Sequence, residues 1–262
     1  MIRPSDRGQG VLERLTTLLY GRAQEIGIKG VVTELSTTDP APQRLVADEA
    51  EMPCGLALAA WPPAGGASRT EEGGVRRSFL TCFRYMKKPT TIVAAVPSRH
   101  RMVVRAIYRQ IDVDVDFSSG ARADGDSCIT VIPIREWRSA LIRIDAIGME
   151  IEQRLRELVD ELVHENECET LYLDLPLSNE CVEEACTAAE EVGFFFSGIG
   201  PYYFDTGDAL RLQYLTSEPH ISRLALVGPQ AIALGEHVAH EWARVRSRKW
   251  AQELRTRRIH AA

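Results

Sequence analysis

Long apolar runs, paired cysteines and an excess of positive charge are all missing from this chain of 262 residues, and each absence closes off a class of function. No apolar stretch approaches the ~20 residues that a membrane helix needs. The opening MIRPSDRGQG has no secretory apolar segment. The expectation is a cytoplasmic protein without a membrane partner. The six cysteines (Cys54, Cys82, Cys128, Cys168, Cys181 and Cys186) form no C-x-x-C pair and stand in apolar segments. They are expected as reduced, buried thiols rather than disulfides or a zinc site. The formal net charge of -6 has the wrong sign for a general nucleic-acid surface. With 45% hydrophobic and 26% charged residues, the chain still has the composition of a folded domain with a full core.

What is there begins with Arg7-Gly8-Gln9-Gly10, followed at once by Val11 and an amphipathic run over 11–26. A glycine-rich turn opening a helix presents free backbone N–H groups and the positive end of the helix dipole, where a phosphate can sit. Such a turn normally follows a strand that aims it, and only Met1 to Asp6 precede it here. The chain is therefore read as starting within a domain.

Leu15, Leu18, Leu19 and Ile26 recur at helical spacing, and Gly27 and Gly30 end that helix. A β-branched strand is expected over 31–35, then a helix to about residue 52, with Asp39 as N-cap and Pro40 in the first turn. Strands follow at 55–61 and 78–85 around a loop rich in Gly and Pro. Next come a strand at 91–96, a helix over 98–110 and an alternating strand at 111–117. The run 118–125 reads as a linker, giving units 1–118 and 126–262. The second unit has strands at 128–134 and 140–144, a helix over 149–166 and an apolar strand at 171–175. A helix over 179–192, strands at 194–199, 209–215 and 224–227, and a long helix opened by Gly228 and Pro229 complete it. Helix, strand, helix and two strands recur in both halves, which suggests a distant internal duplication.

The turn and the order behind it resemble the C-terminal half of the GNAT acyltransferase superfamily. Arg7 and Gly10 match the first and fourth positions of that family's R/Q-x-x-G-x-G/A turn, and Leu12 stands where its last small residue is expected. YLDLPLSNECVEEACTAAEEVGFFFSGIGPYY from Tyr172, followed by LRLQYL, is similar to the strand, helix, Gly-Phe and hairpin that close the fold. The resemblance implies an α/β protein of two GNAT-like mixed-sheet units, the first lacking its N-terminal half. It implies acetyl-CoA as co-substrate, with the pyrophosphate on Arg7, Gly8, Gln9, Gly10 and Val11, and no metal. If active, the protein would transfer an acyl group from CoA to an amine. The alternative is a non-catalytic acyl-CoA-sensing or regulatory module. A further one is an assembly protein, with a protein partner or a second copy completing the first unit. The tyrosine that usually protonates the departing thiolate would fall near Val46, in a helix that has none. In the second half it would fall near Ala189, and only Gly148 stands where a phosphate turn would be.

Glu34, mid-strand between Thr33 and Leu35, is the candidate general base, provided that it faces a cleft and not the core. Asp112, Asp114 and Asp116 alternate with apolar residues and lack the glycine of a calcium loop, so they read as the wet face of a strand. His237 and His240 are three apart, the wrong spacing for a zinc protease, and read as part of a solvated helix face with Glu236 and Glu241. The Arg-rich tail over 244–258 suits a helix C-terminus. Arg99, His100, Arg101 and Arg105 open a helix with nothing in the sequence to aim them at a ligand.

Overall fold

The computed structural model describes residues 10–48, 51–62 and 75–260. Helix α1 (Val11–Glu25) leads into β1 (Gly30–Ser36), α2 (Pro40–Asp48), β2 (Met52–Trp61) and β3 (Arg77–Tyr85). A connecting stretch holds β4 (Thr91–Ala94), α3 (Ser98–Arg109) and β5 (Asp114–Phe117). Then come β6 (Cys128–Ile134), β7 (Ser139–Ala146), α4 (Ile151–Asp160, prolonged by a π-helical turn Glu161–Glu165) and β8 (Thr170–Pro176). Helix α5 (Val182–Val192), strands β9 (Phe195–Phe204) and β10 (Gly207–Leu215), and helix α6 (Pro229–His260) close the chain.

The local signals act as expected from their chemistry. Gly27 takes φ +74 just past the end of α1, a conformation that costs glycine nothing. Asp39 Oδ1 accepts the Ala41 N–H at 3.0 Å at the start of α2. Strand β8 is buried at every position, as an apolar run inside a sheet must be.

Eight strands form one mixed sheet in the order β1-β3-β2-β9-β10-β8-β7-β6, while β4 and β5 pair in parallel by themselves. Two sets of three strands in this sheet match residue for residue. The antiparallel register Gly30↔Tyr85 through Ser36↔Phe79 is repeated as Thr170↔Leu215 through Pro176↔Ala209. The irregular points recur as well. Gly27 and Glu167, both left-handed, precede β1 and β8 at the same distance, and Ala59 and Tyr202 are left-handed in β2 and β9. Ala59 N–H donates to Ser78 Oγ (3.0 Å) and Tyr202 N–H to Asp208 Oδ1 (2.9 Å). Thr37 N–H reaches the carbonyl of that Ser78, and Leu177 N–H that of Asp208. The two sets meet where β2 crosses β9 at Gly55↔Gly198. Gly198 has φ +146, and a Cβ there would stand 2.4 Å from Cys54 O and Gly55 Cα. Only glycine allows the two backbones to approach this closely.

The main core lies on the sheet face covered by α3, α5 and α6, where Leu56, Leu80, Leu173, Leu175, Phe196 and Leu212 are fully or almost fully buried. A smaller cluster of Ala60, Phe79 and Tyr172 sits on the opposite face.

Several boundaries and exposures differ from the sequence reading. Strand β5 starts at Asp114, not residue 111, because Asp112 turns left-handed (φ +53) and residues 111–113 hydrogen-bond back to the end of α3. Residues 224–227 are no strand: the Ala225 N–H and carbonyl are taken by Thr37 and the Gln43 side chain. Met52 belongs to β2, not to the preceding helix. Cys128 is exposed and Cys181 half-buried, since β6 is an edge strand and Cys181 opens α5; the other four cysteines are buried thiols.

Candidate functional site

Arg7, Gly8 and Gln9 lie outside the described residues. Gly10 is the left-handed N-cap of α1 (φ +67), and among the described residues no side chain caps this helix. The half-buried Val11 follows. Glu13 opposes an anion here: its carboxylate lies in the first turn, with Oε2 3.7 Å from where a Cβ on Gly10 would stand. Of the five residues expected to hold a phosphate, the structure thus describes only Gly10 and Val11, with an acid beside them.

The matching corner before α4 is closed. Gly148 N–H donates to Ser127 Oγ (2.8 Å), and Ser127 N–H donates to the Glu150 carboxylate (2.7 Å). The segment ahead of it is pinned to α5, with Ala121 N–H on the Glu180 carbonyl and Ala123 N–H on the Glu184 carboxylate. The groove left between α4 and α5, about 680 Å³, is lined by Glu152, Glu183, Glu184 and Glu191 against Arg122. Acids at such a density repel phosphates, so a CoA diphosphate does not fit there.

Glu34 points to the sheet face away from the helices, because its neighbour Leu35 enters the main core. It lines a cavity of about 190 Å³ at the junction of the two strand sets, with Thr81 across from it and Tyr172, Tyr203 and Arg211 from the second set. Trp61, Trp137 and Phe79 form an aromatic wall, with ring centroids 5.0 Å apart for Trp61–Trp137 and 4.3 Å for Trp61–Phe79. Burial raises the Glu34 carboxyl above its ordinary range, and Arg211 pulls it partly back. In the matched register Glu34↔Thr81 corresponds to Asp174↔Arg211, where the acid is neutralised. Arg211 grips Asp174 through Nε (2.7 Å) and Nη2 (2.6 Å) and stacks on Tyr203 at 4.5 Å. Burial works against the Arg211 charge, and Asp174 more than restores it. Glu34 has no such cross-strand cation. Glu34 is nevertheless an exposed residue of β1, in reach of solvent at the cavity.

A second polar cluster ties three helices together. His100 of α3, fully buried, places Nδ1 3.3 Å from His237 Nε2 of α6 and Nε2 3.3 Å from Glu190 Oε1 of α5. Arg99 Nε and Arg244 Nη2 also meet Glu190, and Arg244 pairs with Glu241. Burial alone would raise the Glu190 carboxyl, but hydrogen bonds from His100, Arg99 and Arg244 bring it down to about 2. Burial, seconded by His100, lowers the His237 imidazole to about 4. Cys186 lies close enough for His100, Cys186 and Glu190 to hold a metal by distance. However, two arginines already neutralise Glu190, and burial keeps the Cys186 thiol protonated, so the donors are those of an ion network. This corrects the expectation of a solvated face: His240 is exposed, but His237 and Glu241 face inward. Elsewhere, Thr33 Oγ1 donates to Glu51 Oε1 (3.2 Å), while Glu51 Oε2 is buried without a hydrogen bond. Burial raises that carboxyl to about 7, against the pull of Arg84.

The tail cations over 244–249 are engaged. Besides Arg244, Arg246 meets Glu218, Arg248 meets Glu191 and Lys249 Nζ donates to Tyr214 Oη. Asp114 and Asp116 are exposed beside the buried Val115. Among the described residues no helix is long and apolar enough to cross a membrane.

No family model matches the chain, and no curated protein does. Among solved structures, a SpeG spermidine N-acetyltransferase chimera from Vibrio cholerae and hSSAT matches with 20% identity, covering 34% of this chain and 58% of that one. The TM-score is 0.27. A superposition this loose carries neither fold nor activity across.

The sequence pointed to Glu34 and its strand, but not to its companions. Arg211, Tyr172 and Trp137 reach the cavity only because β9 pairs with β2 and brings β10, β8 and the turn before β7 up behind it. The signal that was available was the Asp174–Arg211 pair, an acid and a base at one register position of adjacent strands.

Proposed function

We propose that this chain is a GNAT-related module of two like halves, in which the second half is framework and only the first keeps a corner for an acyl-CoA. The observation that carries the reading is the closed turn at Gly148, where Ser127 and Glu150 take the place that a phosphate would need. The register shared by the two strand sets supports the tandem organisation, units 1–118 and 126–262. The turn Arg7, Gly8, Gln9, Gly10 and Val11 would hold the diphosphate, Glu13 weakening the affinity. No tyrosine stands in α2 to protonate a leaving thiolate, which favours binding or sensing over turnover.

Calorimetry with acetyl-CoA tests this reading. Heat is expected from the wild type and none from Arg7→Ala combined with Gly10→Asp. Removing the acids of the second corner with Glu150→Gln and Glu184→Gln should leave the heat unchanged. An undisturbed signal in the Arg7/Gly10 variant would retire the proposal.

A second reading, acyl transfer to an amine, rests on Glu34 and its raised carboxyl. There the amine nitrogen would attack the thioester carbon and the C–S bond would break. Glu34 would take the proton lost by the ammonium, and the thiolate would leave to be protonated by water. Thiol release over an amine panel decides it: binding without release, or release that survives Glu34→Gln, removes Glu34 as base.

A further inference from the structure

We propose that the outer edge of β1 and the uncovered face of α1 are the contact through which two copies of this chain form a two-fold dimer. Strand β1 ends the sheet, and among the described residues only β3 pairs with it. Its pairing runs without a bulge, and Gly30–Ser36 contains no proline or lysine, Glu34 being its one charge, so the edge has few of the devices that usually keep strands apart. Beside it lies an apolar patch. Leu15, Leu18 and Leu19 of α1 and Ile26 and Ile28 of the turn after it are five of the twelve large apolar residues exposed in the described chain; Val32, a sixth, stands on the edge strand itself, on the face away from α1.

The matched register shows that the same surface is made to be covered. Leu15 is 53% exposed and Leu19 57%, whereas their counterparts Leu155 and Val159 on α4 are 0% and 8% exposed. Ile28 is 42% exposed and its counterpart Cys168 is 6%. In that half the edge of β8 is paired with β7.

Charge selects the occupant. Over residues 10–36, Glu13, Glu25 and Glu34 are balanced by Arg14, Arg22 and Lys29, within a chain of net charge -6. A second copy brought to this face therefore meets no net like charge, although the molecules repel elsewhere. Around a two-fold axis β1 runs antiparallel to its copy and one α1 lies along the other, an isologous contact that closes on itself. Within the chain, β2 and β9 already join the two strand sets in the same antiparallel sense. The inference does not depend on acyl-CoA binding.

Sedimentation equilibrium of the full chain tests it, with a mass twice the 29.2 kDa monomer expected, dissociating on dilution. Leu18→Asp with Val32→Lys should give the monomer with an unchanged far-UV spectrum. Should that variant fail to fold, a chemical trap decides in its place. With Cys128→Ser as background, Val32→Cys should be joined to its copy by a short bismaleimide, and Ile232→Cys, exposed on α6, should not. A wild type that stays monomeric at its highest attainable concentration overturns the proposal. So does a dimer that persists in the Leu18/Val32 variant, or one that Val32→Cys fails to trap.

Discussion

Replacing Glu51 by glutamine is expected to stabilise the protein at pH 8 and to weaken it slightly at pH 4. The carboxyl is 5% exposed, holds one hydrogen bond from Thr33 and has a second oxygen with none. Burial moves it from 4.5 in the unfolded chain to about 7. Between those values the folded protein keeps a proton that the unfolded chain has released, so stability falls as pH rises across this window and levels off above it. At about 1.36 kcal/mol per pH unit, the displacement corresponds to about 3 kcal/mol lost by pH 8. Glutamine keeps an oxygen for Thr33 but buries an N–H₂ with no partner, at a cost of about 1 kcal/mol. The variant should thus gain about 2 kcal/mol at pH 8, pass the wild type near pH 5–6 and lie about 1 kcal/mol below it at pH 4. Urea unfolding at half-unit pH intervals, with m-values checked for constancy, measures this directly. Two curves that run parallel from pH 4 to 8 would refute a titrating, uncompensated Glu51.

Two further substitutions address the framework. Gly198→Ala should cost about 3 kcal/mol or more, because its Cβ would overlap the β2 backbone and φ +146 suits glycine alone; a melting temperature within a degree of wild type would contradict the tight crossing. His237→Asn should flatten the acid limb of stability. The folded imidazole titrates near 4 and the unfolded one near 6.5, so stability is complete above pH 6.5 and is lost as pH falls toward 4. The expected loss is about 2–3 kcal/mol, and an unchanged slope in the variant over this window would show that His237 is not its source.

Much of the fold could be read locally because its punctuation is local. Gly27, Asp39-Pro40 and Gly193 stop and start helices by their own conformations and hydrogen bonds, and the apolar run of β8 admits few places other than the middle of a sheet. The reading went astray where distant chain intervened. Residues 224–227 have strand composition, but Gln43 and Thr37 claim their backbone. Asp112 breaks an alternation that would otherwise have run from residue 111. The His100–His237–Glu190 network was invisible for the same reason: its members are spread over three helices, and each alone resembles an ordinary surface residue. For Glu34 alternation left two sides open, and only the burial of Leu35 decides between them. The cation at the matching place, Arg211, lies in the other half of the chain.

The lone rung at Gly55↔Gly198 has a mechanical meaning. Every other neighbouring pair of strands in the large sheet is stitched by a ladder, so this seam depends on side chains where the others depend on backbone. The helices α3 and α6 span it on one face, and on the other Trp61 packs on Trp137 and Phe79 clusters with Tyr172. Side chains thus replace the missing ladder: Gln213 holds both backbone groups of Leu58, Ser197 Oγ donates to the Leu56 carbonyl and Thr170 Oγ1 to that of Ala59.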